Sequence, residues 1–195
     1  MTLYRVFPWD TNAADDEYGG ALFAPPTNTG RIDNPDVYGT LYLASHPEAP
    51  VAETLGRLRV WRHPSFFRGG LQLALAAYEL ADDTPVADLA SVAVLSKLGV
   101  QRAPDVVSRD RESTQALART VYDTGRYAGI SWWSYYLSDW TCVGLWDHAS
   151  LRLKAGPIRL DENDPAVGIA ADTLPRQLFR STRKKKRKTD VSALQ

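Results

Sequence analysis

The apolar positions of this chain fall into short runs with two different periods. Leu3 to Phe7 alternates and carries a single charge, Arg5, which predicts a first strand. Gly39 to Ala44 is β-branched and aromatic and predicts a second. Ser45 then suits a helix N-cap, Pro47 a first helical turn and Gly56 a stop, so Ala49 to Leu55 reads as a helix. Leu58 to Trp61 reads either as a strand end or as the approach to a turn at His63-Pro64, and Gly69-Gly70 breaks the chain. Leu71 to Leu80 stays open between two readings: its alanines favour helix, whereas Leu71, Leu73, Leu75 and Ala77 alternate as a strand does. Val86 to Leu89 predicts a short strand and Ala90 to Leu98 a short helix ended by Gly99. Asp110 to Thr124 is the clearest helix, with Leu117, Val121 and Tyr122 at helical spacing, Ser108 or Asp110 as cap and Gly125 as closure. Gly129 to Ser134, Thr141 to Trp146 and Leu151 to Ile158 read as strands, the last at an edge. Asp164-Pro165 opens a final helix over roughly Ala166 to Phe179, interrupted or bent at Pro175. Residues 8–30, rich in Asp, Gly, Pro, Asn and Thr, read as one long loop.

Length and composition fit a single globular domain with an appendage: 195 residues, 44% hydrophobic and 24% charged. No apolar run approaches the roughly 20 residues that span a bilayer, and the first residues do not read as a signal peptide. One cysteine, Cys142, forms no internal disulfide. Together these predict a cytoplasmic protein with no membrane association.

Charge adds an asymmetry that the net value of zero conceals. Residues 176–195 hold eight of the 23 Lys and Arg and one of the 23 acids, so residues 1–175 carry 15 positive and 22 negative charges, net −7. An acidic body does not draw a polyanion by its overall field, so an anionic ligand has to be caught by local arginines. Six consecutive cations, Arg183 to Lys188, read as a solvated tail.

Few residues carry an obvious chemical signature. By themselves Arg5 reads as a strand-face residue in a salt bridge, Arg31 as a solvated loop residue and Tyr42 as a core residue with a bonded hydroxyl. Glu53 stands out from Glu48 because it sits among Val51, Ala52, Thr54 and Leu55, where its side chain can face a cleft. Ser134 ends a strand, with Ser131 and Ser138 as competitors. No nucleophile-elbow sequence surrounds it and no histidine is close in sequence, so it does not read as a nucleophile. His46, His63 and His148 have no metal-ligand spacing, one cysteine makes no zinc site, and neither common phosphate-binding glycine loop is present.

Leu3-Tyr4-Arg5-Val6, Gly30-Arg31, Leu41-Tyr42-Leu43-Ala44, Ala52-Glu53 and Gly129-Ile130-Ser131-Trp132-Trp133-Ser134 together resemble the RES-domain family, the toxin half of bacterial RES–Xre toxin–antitoxin pairs. Many members have Gly-Arg-aromatic-Asn where this chain has Gly30-Arg31-Ile32-Asp33-Asn34. The resemblance implies an α+β single domain with a small bent mixed sheet flanked by helices, like the ADP-ribosyltransferases. It favours the strand reading of Leu71 to Leu80. The expected layout is a RES domain over residues 1–150, a strand and helix extension packed on it over 151–179, and a basic tail over 180–195. The implied activity is degradation of NAD+ at the nicotinamide–ribose bond by hydrolysis or phosphorolysis, with NAD+ as substrate and no cofactor or metal. Glu53, Ser134 and Tyr42 are the implied catalytic residues, and Arg5, Arg31, Tyr42 and Ser134 the implied NAD+ contacts. The implied partner is an Xre-type helix-turn-helix antitoxin, through which any nucleic-acid contact would be indirect; a homodimer is compatible. Two other readings remain open: an ADP-ribosyltransferase acting on a protein, and a non-catalytic module binding nucleic acid through its basic tail.

Overall fold

The computed structural model of the protein describes residues 1–100, 106 and 108–180. The basic run expected at 183–188 lies outside the described residues. The chain runs β1 (Thr2–Pro8), β2 (Leu41–Ala44), α1 (Glu48–Leu55), β3 (Val60–Trp61), a 3-10 turn (His63–Phe66), β4 (Phe67–Arg68), β5 (Leu71–Leu80), β6 (Val86–Asp88), α2 (Val92–Lys97), α3 (Arg111–Asp123), β7 (Gly129–Trp133), β8 (Thr141–Leu145), β9 (Leu151–Arg159), α4 (Pro165–Thr173) and β10 (Gln177–Leu178). Eight strands form one mixed sheet in the order β4-β5-β1-β2-β8-β7-β6, with β9 also paired to β5. The β6–β7 pair is parallel and the remaining pairs of this sheet are antiparallel. The expected α+β architecture is what forms.

Strand alternation sorts the side chains onto two faces. Tyr4 lies opposite Ala44, and Ala44 opposite Cys142, which lies opposite Trp132. Tyr42, Ala44, Cys142 and Trp132 therefore share one face. On this face Ala44 and Val6 meet α1 and α4, while Tyr42, Trp132 and Cys142 meet α3. Leu3, Phe7, Leu41, Leu43, Tyr78 and Val143 point the other way, beneath the long loop that contributes Ala21, Leu22 and Ala24.

The ambiguous run at Leu71–Leu80 is a strand, and a central one, pairing β1 and β9. Its alanines suit close cover on both sides rather than a helix: Ala74 meets no solvent and Ala76 almost none. Helix α3 begins at the expected cap, with the Asp110 side chain accepting from the Glu112 amide. Ser45 is not a cap. Pro47 takes that position without a side-chain bond, and Ser45 Oγ accepts from the Thr141 amide at 3.1 Å, joining β2 to β8. Gly56 is needed for room rather than for a left-handed turn: its φ is −61°, and a Cβ there would lie 2.6 Å from the Tyr136 hydroxyl.

The last helix is shorter than the sequence reading. It ends at Thr173, because Pro175 has no N–H with which to extend the ladder. Gln177–Leu178 instead pair in parallel with Val60–Trp61. Small residues let α4 approach α1 closely, with Ala166, Ala170 and Ala171 against Ala49 and Ala52. Residues 151–179 are thus woven into the domain, through β9 on β5 and α4 on α1. No helix among the described residues is long and apolar enough to cross a membrane.

Candidate functional site

Helix α1 buries Val51, Ala52 and Leu55, which leaves Glu53 on its open side. Strand β7 ends at Trp133, and the Ser134 amide donates to Trp140 O at 2.7 Å, which fixes the turn that follows. Ser134 is 2% exposed. Its hydroxyl donates to Glu53 Oε1 at 2.6 Å and accepts from the Tyr136 amide at 3.1 Å. Cys142 Sγ contacts the same carboxylate oxygen at 3.7 Å. Burial, followed by the Glu53 charge, pushes the Cys142 thiol well above its ordinary range, so it stays protonated and donates. One oxygen of Glu53 is therefore tied inward while the residue stays open to solvent. The competitors are occupied elsewhere: Ser131 faces Asp88 and Ser138 faces Asp139.

A loop hub holds Arg31 beside this pair. Asp33 is 2% exposed and accepts from Thr27 Oγ1, the Thr29 and Gly30 amides and the Tyr42 hydroxyl, the last at 2.6 Å. The Tyr42 hydroxyl in turn accepts from the Ile32 amide at 3.1 Å. Burial raises the Tyr42 pKa far above its ordinary value and the Asp33 charge adds to this, so the phenol is a neutral donor here. Gly30 has to be glycine, since a Cβ would come within 2.1 Å of the Tyr42 oxygen. Ile32, at the loop position where the resemblance leads one to expect an aromatic, is 1% exposed and packs into the core with Trp132. The altered loop sequence thus builds a hub on Asp33 and fills the core with Ile32.

Arg31 Nη1 donates to Ser108 O at 2.6 Å and to Val106 O at 3.2 Å. Burial and then the nearby Arg111 cation lower its pKa, and Glu53, Cys142 and Tyr42 offset part of that. Arg111 opens α3, and its Nη1 is buried with no hydrogen-bond partner among the described residues. Neither arginine makes an ion pair within 4 Å among the described residues.

Arg5 is not part of this group. It lies on β1 among the residues that face the long loop, on the opposite side of the sheet from Tyr42. There it is 8% exposed and donates to Ala21 O at 2.9 Å and Phe23 O at 2.7 Å, with its guanidinium over the Phe7 ring. Tyr78 also donates to Ala21 O, at 2.7 Å. Arg5, expected as an NAD+ contact, thus lies across the sheet from Tyr42 and anchors the long loop.

The sequence model of the RES domain matches residues 2–164. The chain belongs to the RES-domain family. A chain in the crystal structure of the M. tuberculosis MbcT–MbcA toxin–antitoxin complex shares the fold, with a TM-score of 0.60 and 14% identity over 89% of this chain and 88% of that one. No curated protein sequence matches significantly.

Of the residues singled out in sequence, this RES domain brings together Arg31, Tyr42, Glu53 and Ser134. Sequence reasoning missed Asp33, Cys142 and Arg111. Asp33 had a signal, the shift of Asn34 in the loop motif. Arg111 had none, because a first-turn arginine reads as solvated. Among the described residues no group of three His, Cys, Asp or Glu side chains is placed to hold a metal ion.

Proposed function

We propose that this RES domain cleaves the nicotinamide–ribose bond of NAD+. The observation that carries the reading is the Ser134–Glu53 hydrogen bond with Arg31 beside it. When the bond breaks, its electron pair leaves with nicotinamide, which departs neutral and needs no general acid. The ribose is left oxocarbenium-like, and a carboxylate can accept a bond from a ribose hydroxyl while stabilising the developing positive charge. Ser134 and Cys142 hold Oε1 of Glu53, which leaves Oε2 for the sugar. Arg31 has donors beyond Nη1 for the phosphate next to that ribose. Tyr42 keeps the Arg31 loop in position through Asp33. The acceptor is water or phosphate.

The fold neighbour comes from a toxin–antitoxin complex, which supports a toxin role here too, exercised by depleting NAD+ in the cytoplasm. A protein antitoxin of the Xre helix-turn-helix type then covers the cleft in the resting pair.

The test is nicotinamide release from NAD+ by the purified protein, with and without added phosphate, and ADP-ribose transfer to lysate proteins as a control. Glu53→Ala should abolish release while leaving the melting transition cooperative. Intact NAD+ after incubation with wild type free of any partner overturns the reading, and label on lysate proteins instead makes the enzyme a transferase.

A further inference from the structure

A cavity of about 690 Å³ opens beside Glu53, lined by Arg57, Arg59, Arg109, Arg176, Tyr135 and Tyr136 among others. Its size falls within the range of about 300–1,000 Å³ common for small-ligand sites. None of its lining residues carries a carboxylate. Four arginines line one space, three of them within the first 175 residues, whose net charge is −7. Such a concentration of fixed cations is an anion site by its own field. Guanidinium also matches phosphate oxygens in forked pairs.

The cavity adjoins the cleavage site. Gly56 at its wall is three residues past Glu53, about 4.5 Å further along the helix axis. Tyr136, also in its wall, donates its amide to Ser134 Oγ. Two of the arginines are partly engaged. Arg176 holds Gly56 O and Leu174 O, while Arg109 bonds the Tyr135 hydroxyl at 2.6 Å and covers its ring at 4.5 Å. Arg57 and Arg59 are exposed, and their side chains have no hydrogen bond or ion pair among the described residues. Tyr135 is 53% exposed despite the Arg109 cover, so part of its ring stays open next to the cations.

We infer that this cavity binds the adenosine-phosphate half of the dinucleotide, its arginines taking the distal phosphate and Tyr135 stacking on the base. The inference rests on the NAD+-cleavage reading but is tested apart from it. A base-aromatic contact is worth having in such a site because every base presents a π-face. The arrangement makes the preference for a dinucleotide over a mononucleotide a property of residues remote from the bond that breaks.

The experiment is calorimetric titration with ADP, adenosine and inorganic phosphate, followed by kinetics on NAD+ and nicotinamide mononucleotide. Wild type should bind ADP at least about tenfold more tightly than inorganic phosphate. The double variant R57Q/R59Q, at two exposed and unbonded positions, should weaken ADP about tenfold or more, and Y135A should weaken ADP and adenosine together. The ratio of kcat/KM for NAD+ over the mononucleotide should fall by a similar factor in R57Q/R59Q, through KM rather than kcat. Binding of ADP no tighter than phosphate, or equal binding by the variant, overturns the inference. So does an unchanged substrate ratio. If wild type cleaves neither substrate, the cleavage reading fails and the ADP titration alone decides the cavity.

Discussion

Ser134 Oγ and Glu53 Oε1 are 2.6 Å apart although 81 residues separate them in sequence. A serine hydroxyl offers one proton and two lone pairs. Here the proton goes to the carboxylate, and the Tyr136 amide donates to the oxygen. This orientation is fixed before any ligand arrives, since Ser134 is buried at the end of β7. Loss of preset geometry costs more at a reacting centre than loss of a bond on a surface, because the geometry otherwise has to be regained in each turnover.

Ser134→Ala should therefore lower kcat for nicotinamide release by about tenfold to a hundredfold. The Tyr136 amide loses its partner as well, so unfolding free energy should drop by about 1–2 kcal/mol. Steady-state kinetics and urea denaturation on the same preparation separate the two effects. A kcat equal to wild type would mean that the serine only closes the turn.

How far the sequence carried this picture can be judged residue by residue. Helix α3 was legible because its cap, its apolar spacing and its terminal glycine are all local. The strand at Leu71–Leu80 was open to two readings because its alanines answer to helices and loops that cover it from elsewhere in the chain. Arg5 shows the limit of alternation: the period puts it on the same face as Leu3 and Phe7, but nothing local says which face meets the long loop and which meets α1. Glu53 stood out locally by its apolar neighbours, but Ser134, and the pairing of the two, were legible only through the family resemblance. Their contact depends on α1 lying against the end of β7, a relationship that no local pattern encodes. The helix drawn through Phe179 failed for a different reason, since residues 177–178 find a strand partner in Val60–Trp61 that is remote in sequence.

Tyr42→Phe distinguishes two roles for one ring. If the ring acts only as a flat surface for nicotinamide, Phe replaces it at little cost. The hydroxyl joins Asp33 Oδ1 and the Ile32 amide, the hub that positions Arg31. Its removal leaves a buried carboxylate short of a donor and an amide short of an acceptor. We expect a stability loss of about 1–3 kcal/mol and a rise of about tenfold in KM for NAD+, roughly the loss of one charged contact. An unchanged KM together with unchanged stability would remove the hub from the account.

Arg5→Met should behave in the opposite way. The guanidinium is buried and donates to the carbonyls of Ala21 and Phe23, so its loss strands the Phe23 carbonyl and leaves Ala21 O to Tyr78 alone. Methionine fills much of the volume without replacing the donors. Stability should fall by about 2–4 kcal/mol, in the range for removing a buried charged donor. Activity per folded molecule, corrected by the native fraction, should stay within about threefold of wild type, below the step of one lost hydrogen bond. A selective rise in KM without loss of stability would return Arg5 to the substrate site.

The pH dependence of stability can be assigned in part to His148. Its Nδ1 is buried and has no hydrogen-bond partner among the described residues. Burial lowers its pKa below the ordinary 6.5; Asp147 opposes that shift and Arg5 adds to it. In the folded protein the imidazole is neutral at pH values where the unfolded chain already binds a proton. The unfolded state therefore binds more protons below about pH 6.5, and stability decreases as pH falls from there through the lower folded pKa. Above about pH 6.5 both states are neutral at this residue and it adds no slope. Urea midpoints measured from pH 7.5 down to pH 5 should fall less in His148→Gln than in wild type, with the gap widening toward the acid end. Parallel curves for the two proteins would place the acid sensitivity on the carboxylates alone.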